Sequence, residues 1–309
     1  MPDLAIVGPT ATGKSALGAA LADAHGAAGL VSVDALAVYR GMDIGTAKPT
    51  RVADPAARHR WALIDIADPG EEYSVAKFQR AAREAIAGIH DAGAPAILVG
   101  GTGLYHRAVL DDLDLPGRYP DVAARLEAEA EAGGTAGAVR LHTRLRELDP
   151  VAAGRMGPLN VRRVVRALEV TEGSGRRFSD FGPGLTAYPP IATVLVGLSL
   201  DRRTLDDRLA RRLADQVEAG LVDEVRSLEE REGGLSRTAR QAIGYRELLG
   251  YLRGESSLEE ALSEALRRLK SFARRQEAWF KRDPRVHWFD AGDPRLADRV
   301  AEQWETGTQ

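Results

Sequence analysis

The sequence has no cysteine, only 6% aromatic residues, and no long apolar run in its 309 residues. Without cysteine the chain has no disulfide framework, no thiolate nucleophile and no cysteine-ligated zinc. The N-terminal apolar run, residues 4–7, lacks a preceding basic segment and is too short for a signal peptide. No stretch approaches the ~20 apolar residues of a membrane span. We therefore expect a cytoplasmic protein without a membrane partner.

A strong excess of either charge is also missing, since 42 basic and 45 acidic residues give a formal charge of −3. This balance excludes a globally basic coat but permits local patches. Residues 155–177 contain six arginines against two glutamates, and residues 267–285 contain eight basic against two acidic residues. A solvated charged face is the simplest interpretation of one such cluster. Two clusters in a net-acidic chain favour contacts with nucleic-acid phosphates.

Alternating apolar strands and amphipathic helices predict an α/β fold with a parallel sheet covered on both faces. The predicted strands are residues 4–7, 30–33, 61–66, 96–99, 191–200 and 286–289. The predicted helices are residues 13–25, 74–90, 122–132, 139–148, 160–172, 204–219, 237–252 and 258–282. The segment 115–190 shows no buried strand. We therefore predict a core formed by 1–114 and 191–309, interrupted by a helical insertion at 115–190.

A phosphate-binding motif, GxxxxGK[ST], follows the first predicted strand and precedes a helix, which is its usual context. It comprises Gly8, Pro9, Thr10, Ala11, Thr12, Gly13, Lys14 and Ser15. The backbone amides of such a loop converge on a phosphate at a helix N-terminus. Lys14 is expected to reach a terminal phosphate, and Ser15 to ligate Mg²⁺. The motif predicts a diphosphate or triphosphate site without specifying ATP.

The carboxylate that ATPases and kinases usually place at the end of a central strand is missing. The strand at 96–99 ends in Gly100 and Gly101 instead. Asp65 is a weak substitute, and Asp34 also follows a strand and is a candidate for a metal or substrate contact. The interpretation as a nucleotide hydrolase is therefore incomplete.

Several further strings point to one family. They are VD at 33–34, VYRGMDIGTAKP at 38–49, HR at 59–60, YS at 73–74, VGGTGLY at 99–105, RVVRALEV at 163–170, QAIGYRE at 241–247 and RRQ at 274–276. With the phosphate loop, these strings resemble the bacterial tRNA dimethylallyltransferase (tRNA isopentenyltransferase) family from residue 5 to residue 282. The string at 41–49 is much more specific than the phosphate loop alone.

The resemblance implies a P-loop nucleoside-triphosphate-hydrolase-like fold that binds dimethylallyl diphosphate, with Mg²⁺, in place of ATP. It implies transfer of the dimethylallyl group to the exocyclic amine of the adenosine next to the anticodon on its 3′ side. The helical insertion would grip the anticodon stem-loop of the tRNA. Both the missing carboxylate and the arginine-rich insertion agree with this activity, and we expect a monomer.

The resemblance also implies roles for individual residues. Asp34 is the candidate base for the amine, although capping the next turn or binding Mg²⁺ would also suit it. Thr102 is expected at the reaction channel, or as a helix N-cap, and Thr10 is a weaker member of this cluster. Arg212 is expected to face the diphosphate.

A spacing argument supports the assignment of Arg212. Leu205, Leu209, Leu213 and Val217 form an apolar i, i+4 stripe, beside which Arg208 and Arg212 form a parallel one. Two like charges at this spacing repel in isolation, and a shared anion would reverse that effect. The alternative is that Arg212 pairs with the neighbouring Asp206, Asp207 and Asp215.

The expected tRNA contacts, also carried over from the resemblance, are Asp34, Ala35, Leu36, Ala37, Thr102, Arg125, Asn160, Val161, Arg162, Arg163 and Arg166. The sequence departs from the family pattern at Ala35, Ala37, Gly157 and Leu159, where the family has serine, glutamine, histidine and asparagine. Fewer polar contacts with the flipped base and its neighbours are therefore expected.

Three other functions compete with tRNA prenylation. An isopentenyltransferase acting on free AMP or ADP would use the same loop and Asp34 without needing a basic insertion. A small-molecule kinase is disfavoured by the missing strand-end carboxylate. A non-catalytic RNA-binding module would not need an intact phosphate loop.

Overall fold

The computed structural model describes residues 1–49, 61–182 and 184–307, so the HR string at 59–60 lies outside the described residues. The chain packs as two compact units: Met1–Asp111 with Pro190–Gln309, and Asp112–Pro189. The domain division at 115 and 190 stays a prediction, since compact packing alone does not establish independent domains. Within the described ranges, no helix is both long and apolar enough to cross a bilayer.

The first unit contains a six-stranded sheet in which every strand pair is parallel. Its strands are β1 Leu4–Val7, β2 Gly29–Ser32, β3 Trp61–Ala62, β4 Ala96–Val99, β5 Val194–Ser199 and β6 His287–Asp290, in the order β3-β2-β4-β1-β5-β6. The predicted parallel α/β fold is confirmed. The strand predicted at 61–66 ends early because Leu63 and Asp65 adopt positive φ angles of 64° and 58°, which do not continue a strand.

The helices follow the sheet connections. In the first unit they are α1 Lys14–His25, α2 Val75–Asp91, α3 Gly103–Leu110, α7 Arg202–Glu218, α8 Leu221–Glu230, α9 Arg237–Arg240, α10 Tyr245–Leu252, α11 Leu258–Phe280 and α12 Leu296–Thr306. In the second they are α4 Pro120–Leu148, α5 Pro150–Gly154 and α6 Val161–Ser174, with a 3₁₀ turn at Phe178–Asp180.

Several helices differ from those predicted. The segments 122–132 and 139–148 form one helix with a kink at Gly134, whose φ is 52°. The predicted helix 237–252 is divided into α9 and α10, with Gly244 at φ 93° before α10. Helices α5, α8 and α12 were not predicted, and α3 was expected only in the alternative that makes Thr102 a helix N-cap. Ser74 is the N-cap of α2, as expected, and its side chain accepts a hydrogen bond from the Lys77 amide.

The sheet is buried on both faces because successive strand residues point to opposite sides. In β1, Ala5 and Val7 belong to one apolar cluster and Leu4 and Ile6 to the other. The first cluster is covered by side chains of α2, α8, α10 and α11, and the second by those of α1 and α12. Trp304 of α12 is 2% exposed and its indole N–H donates to the Pro2 carbonyl at 2.7 Å. The strand that leads into the phosphate loop is therefore held rigidly.

The second unit has an apolar core of its own. Leu126, Leu141 and Leu145 of α4 pack against Val164 and Leu168 of α6, and all five side chains are fully buried. The regular structure described within this unit is entirely helical. Packing between α4 and α6 leaves their outer faces available for charged residues.

Candidate active site

The phosphate loop joins the carboxyl end of β1 to the first turn of α1. Gly8 has φ 129°, and a Cβ there would lie 2.4 Å from the Leu198 carbonyl oxygen of β5. Gly13 has φ 90° and is the N-cap of α1. The first helical hydrogen bond runs from the Leu17 amide to the Gly13 carbonyl. The preceding amides therefore have no partner within the helix and form an anion-binding end.

Lys14 is buried against the loop that it serves. Its Nζ donates to the Pro9 carbonyl oxygen at 2.6 Å, and the Thr12 hydroxyl donates to the same oxygen at 2.9 Å. Burial and the nearby Arg212 charge lower the pKa of Lys14 to about 7, while the Asp34 carboxylate opposes the shift. Pro9 has no N–H to donate, and its carbonyl oxygen accepts the hydrogen bond that holds Lys14 in the loop.

Arg212 connects α7 to the phosphate loop. Its Nη1 donates to the Thr10 hydroxyl at 3.1 Å, and its Nη2 donates to the Thr46 carbonyl oxygen at 3.5 Å. Among the described residues it forms no ion pair, and Asp206 is bound instead by Arg202 on the same helix. The alternative pairing of Arg212 with neighbouring acids is therefore wrong. The guanidinium is held at the loop with its charge uncompensated by an ion pair.

Asp34 follows β2 and faces these two cations. Its Oδ1 accepts hydrogen bonds from the Leu36 amide at 2.8 Å and the Ala37 amide at 3.3 Å, so it does cap the next turn. Burial lowers the pKa of Arg212, and the Asp34 carboxylate opposes this shift as it does for Lys14. In the described part of the chain, Oδ2 accepts no hydrogen bond. One carboxylate oxygen therefore shapes the turn, and the other remains available.

Thr102 stands at the turn after β4 and contacts the Asp34 turn. It occupies the N-cap position of α3 without a side-chain capping bond, and its Oγ1 accepts from the Ala35 amide at 3.2 Å. A Cβ at Gly100 would lie 1.9 Å from the Val33 carbonyl oxygen, so only glycine permits this approach. The turns that follow β2 and β4 therefore lie side by side.

Two residues predicted near the site have structural roles instead. Ala37 was expected to contact tRNA, but it is only 4% exposed, and its amide donates to Asp34 Oδ1. Asp65, the weak substitute for the missing carboxylate, accepts a hydrogen bond from Lys48 at 2.5 Å. The Lys48 side chain is fully buried and also binds Asp43 and the Tyr39 carbonyl. Asp65 thus stabilises the string at 41–49.

The predicted RNA-binding arginines of the second unit differ in their contacts. Arg162 and Arg163 are exposed on α6 and form no ion pair with any described residue. Arg166 instead donates to the Pro116 and Gly117 carbonyls at 2.9 and 3.0 Å and pairs with Glu169 at 2.7 Å. Arg166 therefore also serves the internal structure of the unit, and its predicted contact with tRNA stays a prediction.

The remaining predicted contacts are placed as follows. Arg125 donates to Glu172 at 2.6 Å, so its charge is already paired. Asn160 is exposed before α6 and forms no side-chain capping bond, and Val161 is partly exposed. In the first unit, Ala35 and Leu36 are partly exposed, and Arg208 is partly exposed beside Arg212 on α7.

The structure adds a carboxylate that the sequence did not indicate. Glu224 of α8 accepts hydrogen bonds from the Asp43, Ile44 and Gly45 amides at 2.9, 2.7 and 3.1 Å. It also accepts from the Tyr245 hydroxyl at 2.6 Å. Burial and this carboxylate raise the pKa of Tyr245 well above its ordinary value. These bonds hold the loop that presents the Thr46 carbonyl to Arg212.

Two signature strings are therefore complementary in space. A Cβ at Gly45 would lie 2.4 Å from the Tyr245 ring, so glycine in the first string makes room for tyrosine in the second. Gln216 of α7 donates to the Ile44 and Gly45 carbonyls at 2.5 and 3.1 Å. The joint presence of the strings at 41–49 and 241–247 is the feature of the sequence that could have indicated this contact.

A phosphate loop at the end of an inner strand of a parallel sheet, with helices on both faces, defines a P-loop protein of the nucleoside-triphosphate-hydrolase-like class. Residues 37–283 match the family described as IPP transferase. The chain belongs to this family of tRNA prenyltransferases, among whose members are the tRNA dimethylallyltransferases.

Relatives match over nearly the whole chain. It is 48% identical to the tRNA dimethylallyltransferase of Thermobifida fusca, covering 96% of this chain and 92% of that protein. It is 47% identical to that of Streptomyces coelicolor, with the same coverage.

Solved structures agree. The tRNA isopentenylpyrophosphate transferase of Bacillus halodurans has a TM-score of 0.69 at 37% identity, covering 99% of this chain and 98% of its own. A eukaryotic dimethylallyltransferase acting on tRNA has a TM-score of 0.78 at 25% identity, covering 97% and 76%.

Proposed function

We propose that this enzyme transfers the dimethylallyl group of dimethylallyl diphosphate to the exocyclic amine of the adenosine 3′-adjacent to the anticodon in tRNA. The observation that supports this most is the meeting of Lys14, Arg212 and Asp34 at a phosphate loop without a strand-end carboxylate. The two cations suit a departing diphosphate. The carboxylate suits an attacking amine that must lose a proton.

The diphosphate is held by the loop amides at the start of α1, by Lys14 and by Arg212. The bond between the allylic carbon and the diphosphate oxygen breaks as the new carbon–nitrogen bond forms. Negative charge then grows on the departing oxygens, where fixed cations stabilise the transition state most. Loss of one such donor typically costs on the order of 3 kcal/mol. Thr10 keeps Arg212 at this position through its hydroxyl.

Mg²⁺ is expected to reach the site with the diphosphate. In the described ranges, no group of three His, Asp or Glu side chains is arranged to hold a metal. Ser15 is exposed in the first turn of α1 and supplies one hydroxyl oxygen. This donor set fits Mg²⁺, which binds through few protein oxygens together with substrate phosphates and water. The ion would neutralise charge on the diphosphate.

Asp34 accepts the proton that the adenine amine loses. An adenine amine is a poor nucleophile because its lone pair is delocalised into the ring. The free Oδ2 can accept a hydrogen bond from the amine and draw off positive charge as the bond forms. Oδ1 keeps the turn in place through the Leu36 and Ala37 amides. Thr102 borders the acceptor side of the same turn.

The tRNA is favoured over a free nucleotide as acceptor by the exposed arginines of α6. Arg162 and Arg163 form no internal ion pair with the described residues, whereas a free nucleotide would not require them. A kinase is disfavoured by Gly100 and Gly101, which occupy the place of the metal-binding carboxylate. A cytoplasmic location and a monomeric state stay predictions.

The test is a transfer assay with Mg²⁺, labelled dimethylallyl diphosphate, and either unmodified tRNA or AMP. Label on tRNA alone is the expected result. Label on AMP alone would assign the enzyme to the free-nucleotide class. No label on either acceptor, with ATP consumed in a parallel reaction, would indicate a kinase.

A further inference from the structure

Gln276 of α11 connects the two halves of the candidate active site. Its Oε1 accepts a hydrogen bond from the Thr10 amide at 2.9 Å, and its Nε2 donates to the Gly101 carbonyl at 3.0 Å. The side chain is 7% exposed. The first bond reaches the phosphate loop after β1, and the second reaches the turn after β4 that leads to Thr102.

The fit around Gln276 is close. A Cβ at Gly101 would lie 2.2 Å from its Nε2, so glycine is needed for the amide to reach the turn. Thr10 is bound twice, since its amide donates to Gln276 and its hydroxyl accepts from Arg212. The partners of both Thr10 hydrogen bonds are therefore side chains of helices far along the chain. An amide group is suited to this position because it donates and accepts without adding charge beside an anion site.

We infer that Gln276 is a positioning residue. It fixes the phosphate loop relative to the turn that contains Thr102, which in turn contacts the Asp34 turn. This inference rests on the proposed function, because it assigns the two halves to diphosphate and acceptor. Small displacements between reacting groups reduce the rate strongly, so a residue that touches neither substrate still affects transfer. Loss of the Gln276 amide would also leave the buried Thr10 amide and Gly101 carbonyl without partners, and unsatisfied buried groups cost free energy.

The first test replaces Gln276 by methionine, which keeps the length and removes both hydrogen bonds. Gln276→Met is expected to weaken binding of inorganic diphosphate with Mg²⁺ about 10-fold, which corresponds to the loss of one charge-neutral hydrogen bond at the loop. The turnover number kcat is also expected to fall, whereas a loss of binding alone would raise KM and leave kcat unchanged. Calorimetry and initial-rate kinetics measure the two effects separately.

The matched control is Gln79→Met. Gln79 of α2 is also 7% exposed, and its side chain donates a hydrogen bond to the Ala108 carbonyl of α3 at 2.6 Å. It is expected to lose stability without changing diphosphate affinity or the ratio of kcat to KM. If the two variants changed these constants equally, or Gln276→Met bound diphosphate like the wild type, the positioning role would be overturned.

A double-mutant cycle keeps the test valid if Gln276→Met folds poorly. Gly101→Ala is expected to weaken diphosphate binding by displacing the amide of Gln276. In a Gln276→Ala background the shortened side chain leaves room, so the added methyl should have little further effect. Additive effects of the two changes would contradict the proposal.

These measurements also separate the inference from the proposed function. Diphosphate binding by the wild type does not depend on the acceptor. A wild type that binds diphosphate and does not prenylate tRNA would contradict the proposed function alone. A wild type that prenylates tRNA, with Gln276→Met equally active and equally tight for diphosphate, would contradict the positioning role alone.

Discussion

At the scale of single residues, Asp34 combines a structural and a chemical role on its two oxygens. Asp34→Asn keeps an Oδ1 acceptor for the Leu36 and Ala37 amides, so the turn should persist. The amide is not a base, and the transfer rate should fall ~10²-fold or more. Single-turnover kinetics and diphosphate titration measure the two properties. A variant that retains the wild-type rate would remove Asp34 from the role of base.

The lowered pKa of Lys14 predicts that diphosphate binding depends on pH. Its pKa is lowered to about 7 by burial and by Arg212, and a bound anion raises it again. Binding should therefore take up protons above pH 7, and affinity should fall by up to ~10-fold per pH unit until the pKa of the bound state is reached. Calorimetry in two buffers of different ionisation enthalpy measures the uptake.

Lys14→Gln is the control, because the diphosphate itself also titrates. The difference between the wild type and this variant isolates the contribution of the lysine. Equal proton uptake by both proteins would show that Lys14 is already charged in the free enzyme.

At the scale of elements, α8 stabilises the loop at 43–46 through one side chain. Glu224→Ala leaves three backbone amides and the Tyr245 hydroxyl without their acceptor. The free energy of unfolding should fall by about 2 kcal/mol, in line with the cost of unsatisfied buried donors. Glu230→Ala changes an exposed acid on the same helix and serves as the control in urea unfolding. Equal midpoints for the two variants would contradict the role of Glu224.

Helix α6 should contribute to tRNA affinity through its free arginines. Arg163→Ala removes an exposed charge without an internal partner. Binding of tRNA should weaken, and the slope of log K against log salt should decrease by about 1. Affinity for dimethylallyl diphosphate should not change.

The control for Arg163 is Arg144→Ala on α4. The Arg144 guanidinium is paired with Glu172 at 2.8 Å and with Glu129 at 3.6 Å. Since its charge is already compensated, the salt slope should stay as in the wild type. An unchanged slope for Arg163→Ala would exclude that residue from the interface.

The sequence predicted the elements with local signals and missed those without them. The phosphate loop was predictable because its eight residues are contiguous and flanked by a strand and a helix. Gln276 lies in the string RRQ at 274–276, but its role was not predictable, since its hydrogen bond to Thr10 spans 266 positions. Glu224 lies on α8, a helix that was missed, and its bond to Asp43 spans 181 positions. The acidic partners of Arg125 and Arg166, which are Glu172 and Glu169, were not predicted, because a sequence does not indicate which acids fold against an arginine.

At the scale of the whole molecule, the two compact units should respond to different ligands. Mg²⁺ with dimethylallyl diphosphate at about 100-fold over Kd stabilises the state that binds it by ~2.7 kcal/mol. Hydrogen exchange should slow in residues 8–17 of the first unit and remain unchanged in α6 of the second. Addition of tRNA should then slow exchange in α6. Protection of α6 by the diphosphate alone would contradict this assignment.

The packing of the phosphate loop has a consequence for the order of synthesis. The loop is made long before residues 212 and 276, the source of both side-chain bonds to Thr10. Its strand, β1, pairs with β4 and β5, which also come later, and is covered by Trp304. Such distant pairings slow folding. A nascent chain therefore displays the complete motif while lacking the contacts that shape it, and it acquires its active site only after residue 276 has been synthesised.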